Sequence, residues 1–271
     1  MPLDDQRLTN LANWDARVDI HFQSEEYGVG RFKSDPSHLS DVVTFDRGKL
    51  PELTGKRLVH LQCHIGTDTI SLARLGAKAT GVDFSEKAIA AARDLSEISG
   101  TPARFAVSEL YDVPDTLGET FDLVYTGVGA ICWLPDIRGW AEVVASLLET
   151  GGVFYMREGH PVLWTLDWDD PDRLIMEHPY FEGRPTEWEE SETYAGIGEV
   201  SSPKTFDWNH GMGETLTALI DAGMRIDRVE EYDFCEWQGI AQMVKGDDGR
   251  YRLPDRPERC PLMWSVLATR V

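Results

Sequence analysis

From residue 55 onward, the hydrophobic positions of this 271-residue chain follow two alternating spacings. Short apolar runs predict buried strands, and most are followed by segments with apolar residues three or four positions apart, which predict helices. The predicted strands are 57–61, 79–82, 103–107, 121–125, 153–157, 225–232 and 263–269. The predicted helices are 67–75, 86–99, 137–148 and 214–222. Strands that alternate with helices of this length indicate an α/β fold with a doubly wound, mostly parallel sheet.

Two segments depart from this alternation. Residues 1–51 precede the sheet and predict a helical arm, with a helix at 10–22 and a loop at 27–31. Residues 159–210 follow the fifth predicted strand and are rich in aromatic, proline and acidic residues. Loops at that edge of a wound sheet usually carry function. We therefore expect an arm or lid at 1–51 and a domain at 52–271, with 159–210 as a substrate-cap insertion.

Charge and cysteine content narrow the partners and the compartment. The formal net charge is -21 and no Lys/Arg cluster is present, so we expect neither a nucleic-acid partner nor binding to anionic membranes. No apolar run is long enough to cross a bilayer, and the first ten residues lack the pattern of an export signal. The four cysteines are scattered without a CxxC pair, which predicts reduced thiols, a cytoplasmic protein and no metal site.

A tight turn and an acidic strand end form the candidate site. Residues 62–68 (QCHIGTD) connect the first strand to the first helix of the sheet, and Asp83 ends the second strand. In open α/β sheets, nucleoside ligands bind at the carboxyl ends of the strands. The Asp83 carboxylate is therefore expected to accept hydrogen bonds from both hydroxyls of a ribose.

The same turn separates two classes of nucleoside cofactor. A dinucleotide binds its pyrophosphate at a helix N-terminus through a G-x-G-x-x-G loop. Here only Gly66 is a glycine, and Asp68 adds negative charge where a phosphate would bind. S-adenosylmethionine has no phosphate and carries a sulfonium and an ammonium group, which suit an acidic turn. A nicotinamide-dependent oxidoreductase is thus the less favoured alternative.

Five segments resemble, in order and at matching spacing, those of the class I S-adenosylmethionine-dependent methyltransferases. They are LVHLQCHIG (58–66), GVDFS (81–85), FAVSELYDVP (105–114), FDLVYTGVGAICWLPD (121–136) and LLETGGVFYMRE (147–158). The resemblance implies a Rossmann-like methyltransferase sheet, S-adenosylmethionine as the cofactor, and methyl transfer to a small-molecule acceptor. The cofactor-binding residues that it implies are Gln62, His64, Gly66, Asp83, Phe84, Glu109, Leu110, Thr126 and Gly127.

The cofactor turn departs from the usual family pattern L-D-x-G-C-G-x-G. His60 replaces the acid, and Gln62 and His64 replace the first two glycines. This LQCHxG version is identified as that of a branch of the same family. The side chains of Gln62 and His64 either replace glycine backbone contacts or crowd the ligand. In the second case the chain is a catalytically inactive module that keeps the fold and binds another ligand or a protein.

Methyl transfer depends chiefly on alignment of the nucleophile with the methyl group. An oxygen or acidic carbon nucleophile also requires a general base. We rank His160, which follows the fifth strand, first as that base, then His64 and then Glu158. The residues predicted to contact the acceptor are Tyr27, Trp133 and Trp164. A homodimer is an open alternative to a monomer.

Overall fold

The computed structural model describes residues 3–181 and 183–271, and its N-terminal arm contains three helices. They are α1 (Asp5–Gln23), α2 (Val29–Ser34) and α3 (Asp41–Asp46). Helix α1 begins earlier than predicted because the Asp4 side chain caps it, accepting a hydrogen bond from Arg7 N at 2.9 Å. The loop prediction for 27–31 is wrong from Val29 onward, because α2 starts at that residue. Phe32 of α2 is buried.

Strands and helices then alternate, as the hydrophobic spacing predicts. In chain order they are β1 (Arg57–Leu61), α4 (Thr67–Arg74), β2 (Lys78–Asp83), α5 (Glu86–Ser99), β3 (Arg104–Val107), α6 (Val113–Leu117), β4 (Phe121–Thr126), α7 (Ile137–Leu147) and β5 (Leu148–Gly159). Helix α5 has the predicted bounds because both of its ends are capped. The Ser85 hydroxyl accepts a hydrogen bond from Ala88 N at 2.9 Å, and Gly100 ends the helix in the left-handed conformation.

The segment after β5 is mostly irregular. It contains an antiparallel hairpin of β6 (Thr186–Glu189) and β7 (Lys204–Asp207). The remaining elements are α8 (Met212–Asp221), β8 (Met224–Tyr232), β9 (Val244–Lys245), β10 (Tyr251–Arg252) and β11 (Met263–Arg270). Strands β9 and β10 form a second short hairpin.

Among the described residues, seven strands form the central sheet in the order β3-β2-β1-β4-β5-β11-β8. Strands β1 to β5 pair in parallel, whereas β11 is antiparallel to both β5 and β8. The prediction of a doubly wound, mostly parallel sheet is confirmed. The strand order reverses between β1 and β4, and such a switch point opens a crevice at the carboxyl ends of the strands.

Hydrophobic side chains cover both faces of the sheet. Helices α7 and α8 pack on one face, where Trp140 is fully buried. Helices α3 and α4 pack on the other face, through Val43 and Leu72. Burial on both faces is what a parallel sheet requires. In the described ranges, none of the helices combines the length and the apolar character needed to cross a membrane.

A buried ionic network lies on the second face, near the carboxyl edge. The side chains of Arg157 and Asp46 are both fully buried, with Arg157 Nε 2.6 Å from Asp46 Oδ1. The hydroxyls of Tyr125 and Tyr155 donate to the Asp46 carboxylate at 2.6 and 2.9 Å. Arg157 Nη1 also donates to Glu236 Oε1 at 2.5 Å. Burial opposes the charge, but the two carboxylates raise the pKa of Arg157, so the network joins α3 to the sheet as a charged unit.

The N-terminal arm is tied to the hairpin of the insertion. Asn10 Nδ2 donates to Phe206 O at 2.7 Å, and Asn10 Oδ1 accepts from Phe206 N at 2.8 Å. One turn further along α1, Asn13 Nδ2 donates to Ser202 O at 2.6 Å. The arm and the insertion therefore pack against each other.

Candidate functional site

A cavity of about 120 Å³ opens at the carboxyl ends of β1, β2 and β4. Its walls come from the turn after β1, the end of β2, the loops after β3 and β4, helix α1 and Tyr194 of the insertion. The polar and charged side chains in its lining are Arg7, Asn10, His60, Gln62, His64, Thr67, Asp68, Asp83, Ser108 and Glu109. The cavity thus lies at the sheet edge where the sequence places the site.

Most of the predicted site residues share this cavity. Those in its lining are Tyr27, Gln62, His64, Asp83, Phe84, Glu109, Leu110, Gly127 and Trp133. Those outside its lining are Gly66, Thr126, Glu158, His160 and Trp164. Thr126 is fully buried at the end of β4, and its Oγ1 has no hydrogen-bond partner among the described residues.

In the turn after β1, two residues with side chains adopt a backbone conformation that usually requires glycine. Gln62 and His64 adopt positive φ angles of 56° and 48°, and Gly66 follows with 80°. This left-handed conformation is free for glycine but costs a residue with a side chain about 1–2 kcal/mol. Gln62 is held there partly by its side chain, whose Nε2 donates to Ala130 O at 2.9 Å. Both side chains stand in the cavity wall and leave the cavity open.

Gly66 is required by packing as well as by its φ angle, so we expect Gly66→Ala to destabilise the fold by about 3 kcal/mol. A Cβ at this position would lie 2.9 Å from both Ala92 Cβ and Phe105 Cε1. Gly118→Ala is a matched control, because Gly118 has a φ of 61° and no atom within 4 Å of the added Cβ. We expect it to cost about 1 kcal/mol. Urea denaturation measures both, and equal losses would contradict the packing argument.

Asp83 presents an oriented carboxylate at the end of β2. It is 8% exposed, its Oδ2 accepts from His64 N at 2.8 Å, and its Oδ1 accepts from Ser85 N at 3.0 Å. Burial raises the pKa of Asp83 to about 6, and the two backbone hydrogen bonds oppose this shift. Each carboxylate oxygen has a second lone pair. The group can therefore accept two further hydrogen bonds from a vicinal diol.

Glu109 connects the loop after β3 to the arm. Its Oε2 accepts from Tyr111 N at 2.8 Å, and its Oε1 lies 3.0 Å from Arg7 Nη1. Arg7 also pairs with Asp4, with Arg7 Nε 3.1 Å from Asp4 Oδ2. The ion pair with Glu109 holds the start of α1 across the cavity. The resemblance to the methyltransferases implies that Glu109 lies near the adenine amino group of the cofactor, and this stays a prediction.

His60 and Asp68 face the same wall, beside Gly127. A Cβ on Gly127 would lie 3.3 Å from His60 Nε2 and 3.4 Å from Asp68 Oδ2. Burial lowers the pKa of His60 to about 3, so its ring is neutral. Burial raises the pKa of Asp68 to about 6, against the effect of the Ser40 hydroxyl. The first turn of α4 therefore supplies the acid of this wall. The family that the sequence resembles has an acid in β1, at the position of His60.

His64 belongs to an aromatic cluster between the arm and the turn. Its Nε2 lies 2.8 Å from His21 Nδ1, and His21 Nε2 lies 2.7 Å from Thr193 Oγ1. The Trp14 ring packs edge-on against His64 at 4.9 Å and against Trp133 at 5.2 Å between centroids. Burial, His21 and Arg17 hold the pKa of His64 well below its ordinary value. His64 is therefore a neutral imidazole in the cavity wall.

Glu158 positions the loop after β4. It is 1% exposed, and its carboxylate accepts hydrogen bonds from Gly129 N, Ala130 N and Gly159 N at 2.7 Å each. A fourth comes from Ile131 N at 3.1 Å. These four donors use the acceptor capacity of the carboxylate. Its place in the structure gives Glu158 a positioning role, since the loop that it holds forms part of the cavity wall.

His160 and Trp164 lie away from the cavity. His160 Nδ1 accepts from Val162 N at 3.1 Å, and its Nε2 lies 3.1 Å from Glu231 Oε1. Trp164 stacks on Trp237 with ring centroids 6.0 Å apart and lines a separate space of about 10 Å³. The first-ranked base and one predicted acceptor contact therefore do not reach the cavity. Across residues 3–181 and 183–271, no group of three His, Cys, Asp or Glu side chains could hold a metal ion.

Several lining residues were not predicted from the sequence. Arg7 comes from α1, and Tyr194 comes from the insertion. For Asp68 the sequence predicts only a charge that disfavours phosphate. Their helical or irregular segments carry no motif, although the seven-residue spacing of Arg7 and Trp14 puts both on one face of α1.

Comparison with known sequences identifies similar proteins for the central part of the chain. Residues 59–154 match the model of a family described as a methyltransferase domain. The chain is 31% identical over 105 residues to the ubiquinone biosynthesis O-methyltransferase of Xanthomonas euvesicatoria pv. vesicatoria (strain 85-10). The aligned part is 39% of this chain and 44% of that protein. The chain thus spans less than half the length of that relative.

Similarity to solved structures extends over most of the chain. An S-adenosylmethionine-dependent methyltransferase from Mesorhizobium loti has a TM-score of 0.55 at 23% identity, with 84% of this chain and 96% of that chain covered. Geranyl diphosphate C-methyltransferase from Streptomyces coelicolor A3(2), solved with Mg²⁺, geranyl diphosphate and S-adenosyl-L-homocysteine, has a TM-score of 0.53 at 14% identity. It covers 84% of this chain and 77% of its own. At these identities the likeness concerns the fold.

Proposed function

We propose that this protein is a class I S-adenosylmethionine-dependent methyltransferase that transfers a methyl group to a small-molecule acceptor, which the methyltransferase-domain match at residues 59–154 supports. The observation that carries the proposal is the Asp83 carboxylate. It is buried at the end of β2, in the wall of the cavity, with both oxygens oriented by backbone N–H groups. A ribose diol is the ligand group that matches two adjacent carboxylate oxygens with free lone pairs.

The charges of the cavity fit S-adenosylmethionine better than a dinucleotide. The N-terminus of α4 would attract a phosphate, but the Asp68 carboxylate stands in its first turn and lines the cavity. A sulfonium and an ammonium group are favoured by the same carboxylate. The adenosine would be held by Asp83, Phe84, Glu109 and Leu110, and the methionyl end by Gln62, His64 and Gly127. The resemblance also assigned Gly66 and Thr126, which support the turn and the strand end from outside the lining.

When bound, the cofactor supplies an electrophilic methyl group. The chain supplies alignment and exclusion of water, because aromatic side chains line the cavity. Trp14 comes from α1, Tyr27 from the segment after it, Trp133 from the loop after β4 and Tyr194 from the insertion. We propose residues 1–51 as the lid and 159–210 as the acceptor cap on this ground. Among the predicted bases, His64 alone lines the cavity, but its lowered pKa makes it a weak proton acceptor, so its role as the general base stays a prediction.

We also propose a cytoplasmic location. Cys63, Cys132, Cys235 and Cys260 are free thiols, as expected in a reducing compartment. The exclusion of nucleic acid from its partners, and a homodimer, stay predictions from the sequence.

Calorimetry with S-adenosylhomocysteine tests the proposal directly. We expect one binding site per chain, with Kd on the order of micromolar, and no heat of binding with NADH under the same conditions. Mass spectrometry of the purified protein should detect co-purified adenosyl ligand. Binding of NADH but not of S-adenosylhomocysteine would contradict the proposal and favour an oxidoreductase.

A further inference from the structure

We propose that the methyl acceptor is an amine, and that the Asp68 carboxylate binds its ammonium form in the cavity. The inference deepens the proposed function and rests on it. It starts from the acid of the cavity lining that has neither a cation nor a backbone N–H group as a partner among the described residues.

Three carboxylates line the cavity, and the chain satisfies two of them. Glu109 pairs with Arg7, with 3.0 Å between Oε1 and Nη1. Asp83 accepts two backbone N–H hydrogen bonds, at 2.8 and 3.0 Å. In the part of the chain that the structure describes, no Lys, Arg or His nitrogen lies within 4.0 Å of the Asp68 oxygens, and no backbone N–H donates to them. Asp68 is therefore the carboxylate of this lining that a ligand can satisfy.

Asp68 is ionised at neutral pH although it is partly buried. Burial raises its pKa to about 6, and the Ser40 hydroxyl opposes the shift. Taking a carboxylate out of water without a cation costs free energy. A cationic ligand beside Asp68 would recover part of that cost.

The charges of the lining favour a cation over an anion. Against three carboxylates, the described lining has a single guanidinium, that of Arg7, which Asp4 and Glu109 already hold. The lining histidines are neutral, because burial lowers the pKa of His60 to about 3 and holds that of His64 well below its ordinary value. A phenolate, carboxylate or phosphate would enter this cavity against like charge, whereas an ammonium would be attracted.

The Asp68 carboxylate is close to both the methionyl and the acceptor parts of the proposed site. A Cβ on Gly127 would lie 3.4 Å from Asp68 Oδ2. The hydroxyls of Tyr27, from the arm, and Tyr194, from the insertion, are 2.5 Å apart. Burial raises the pKa of both hydroxyls, the Asp68 charge adds to the shift, and Arg17 opposes it. An ammonium at Asp68 would thus lie where the proposed cofactor end and the proposed cap meet.

Aromatic rings complete a site for an organic ammonium. Trp14 and Trp133 pack edge-on with centroids 5.2 Å apart, and the rings of Tyr27 and Tyr194 are 6.4 Å apart. All four line the cavity, and aromatic faces attract cations. Arg17, from outside the lining, already lies 5.3 Å from the centroid of the Trp14 ring. We therefore place the ammonium beside the carboxylate and the tyrosine hydroxyls, which can accept its N–H groups.

An amine also suits the chemistry of transfer. An ammonium nitrogen must lose a proton before it can attack a methyl group, and the carboxylate that binds it is a base beside it. The proton would go to Asp68, and the freed electron pair of nitrogen would form the bond to the methyl carbon. The electron pair of the broken carbon–sulfur bond would stay on sulfur.

The test compares wild type, Asp68→Asn and Asp94→Asn in calorimetric titrations at pH 7.5. Asp68→Asn removes the charge and keeps the size of the side chain, and Asp94→Asn is the matched control at an exposed carboxylate of α5. S-adenosylhomocysteine and 5′-methylthioadenosine, which lacks the amino-acid end, are titrated first. Benzylamine and benzyl alcohol, which differ in the ammonium group, are then titrated into protein saturated with S-adenosylhomocysteine.

We expect wild type to prefer benzylamine to benzyl alcohol by about tenfold or more, as a charge-assisted contact provides. Asp68→Asn should lose this preference by weakening benzylamine alone, and Asp94→Asn should retain it. Both variants should bind 5′-methylthioadenosine as wild type does, which establishes that each is folded and that its nucleoside pocket is intact. The wild-type preference is measured without any variant.

The inference is overturned if wild type binds both probes equally, prefers the alcohol or binds neither, or if Asp68→Asn keeps the preference for benzylamine. If Asp68→Asn keeps that preference and weakens S-adenosylhomocysteine but not 5′-methylthioadenosine, the carboxylate serves the ammonium group of the cofactor instead. Wild type that binds neither adenosyl ligand would refute the proposed function. In that case titration of the two probes without nucleoside still decides the role of Asp68.

Discussion

Asp83→Ala is expected to weaken the binding of S-adenosylhomocysteine by about a hundredfold, because two hydrogen bonds to a charged acceptor are lost. The carboxylate is buried and oriented by His64 N and Ser85 N, so no other side chain can take its place. Calorimetry at pH 7.5 measures the change. Asp94→Ala is the matched control, since Asp94 is an exposed carboxylate on α5, and it should bind as wild type does. A loss below about threefold would remove Asp83 from the site.

The same residue predicts how binding depends on pH. Burial raises the pKa of Asp83 to about 6, so the carboxylate is ionised above that pH and protonated below it. Affinity for S-adenosylhomocysteine should therefore be highest above pH 6 and fall about tenfold per pH unit below it. The stability of the ligand-free protein should respond in the opposite sense. A carboxyl with a raised pKa stabilises the fold when protonated, and this contribution is lost as the pH rises from about 4 to 6.

Arg157→Met is expected to destabilise the ligand-free protein by about 3–5 kcal/mol, because it leaves the buried Asp46 carboxylate without its cation. Asp46 is fully buried and would keep only the hydroxyls of Tyr125 and Tyr155. Urea denaturation followed by circular dichroism gives the free energy of unfolding. Asp46→Leu combined with Arg157→Met should recover part of the loss, since it removes the stranded charge. Arg228→Gln, at an exposed position, should change stability by less than about 0.5 kcal/mol. An Arg157→Met variant as stable as this control would contradict the argument.

The elements that sequence reasoning located well are those determined by local signals. Helix α5 has its predicted bounds because Ser85 and Gly100 specify both ends. The helix of α2 was missed because its main stabilising contact, the burial of Phe32, depends on packing against α5, which is distant in sequence. The β6–β7 hairpin was missed for the same reason, since its strands are half-buried and β7 is held by α1 through Asn10.

In the site, the strand-end rule identified Asp83 and the turn, but it does not determine where a side chain points. Glu158 ends β5 at the correct edge, yet its carboxylate turns to the backbone of the loop after β4. His160 lies two residues later and turns towards Glu231 of β8. Tyr194 reaches the cavity only because the arm and the insertion pack together, and no local pattern encodes that contact.

The hydrogen bonds between the arm and the insertion have a consequence for how ligands leave the cavity. The Asn10 side chain donates one hydrogen bond to the Phe206 backbone and accepts another from it. If α1 moves away from the cavity, the hairpin must therefore move with it or both hydrogen bonds must break. The pair of Arg7 and Glu109 also has to break when α1 moves. A nucleoside and a second reactant held under this joint gate would share a single exit. Under the proposed function we expect departure of either one to expose the other to solvent, and the rate of release to be set by the opening of this pair of elements.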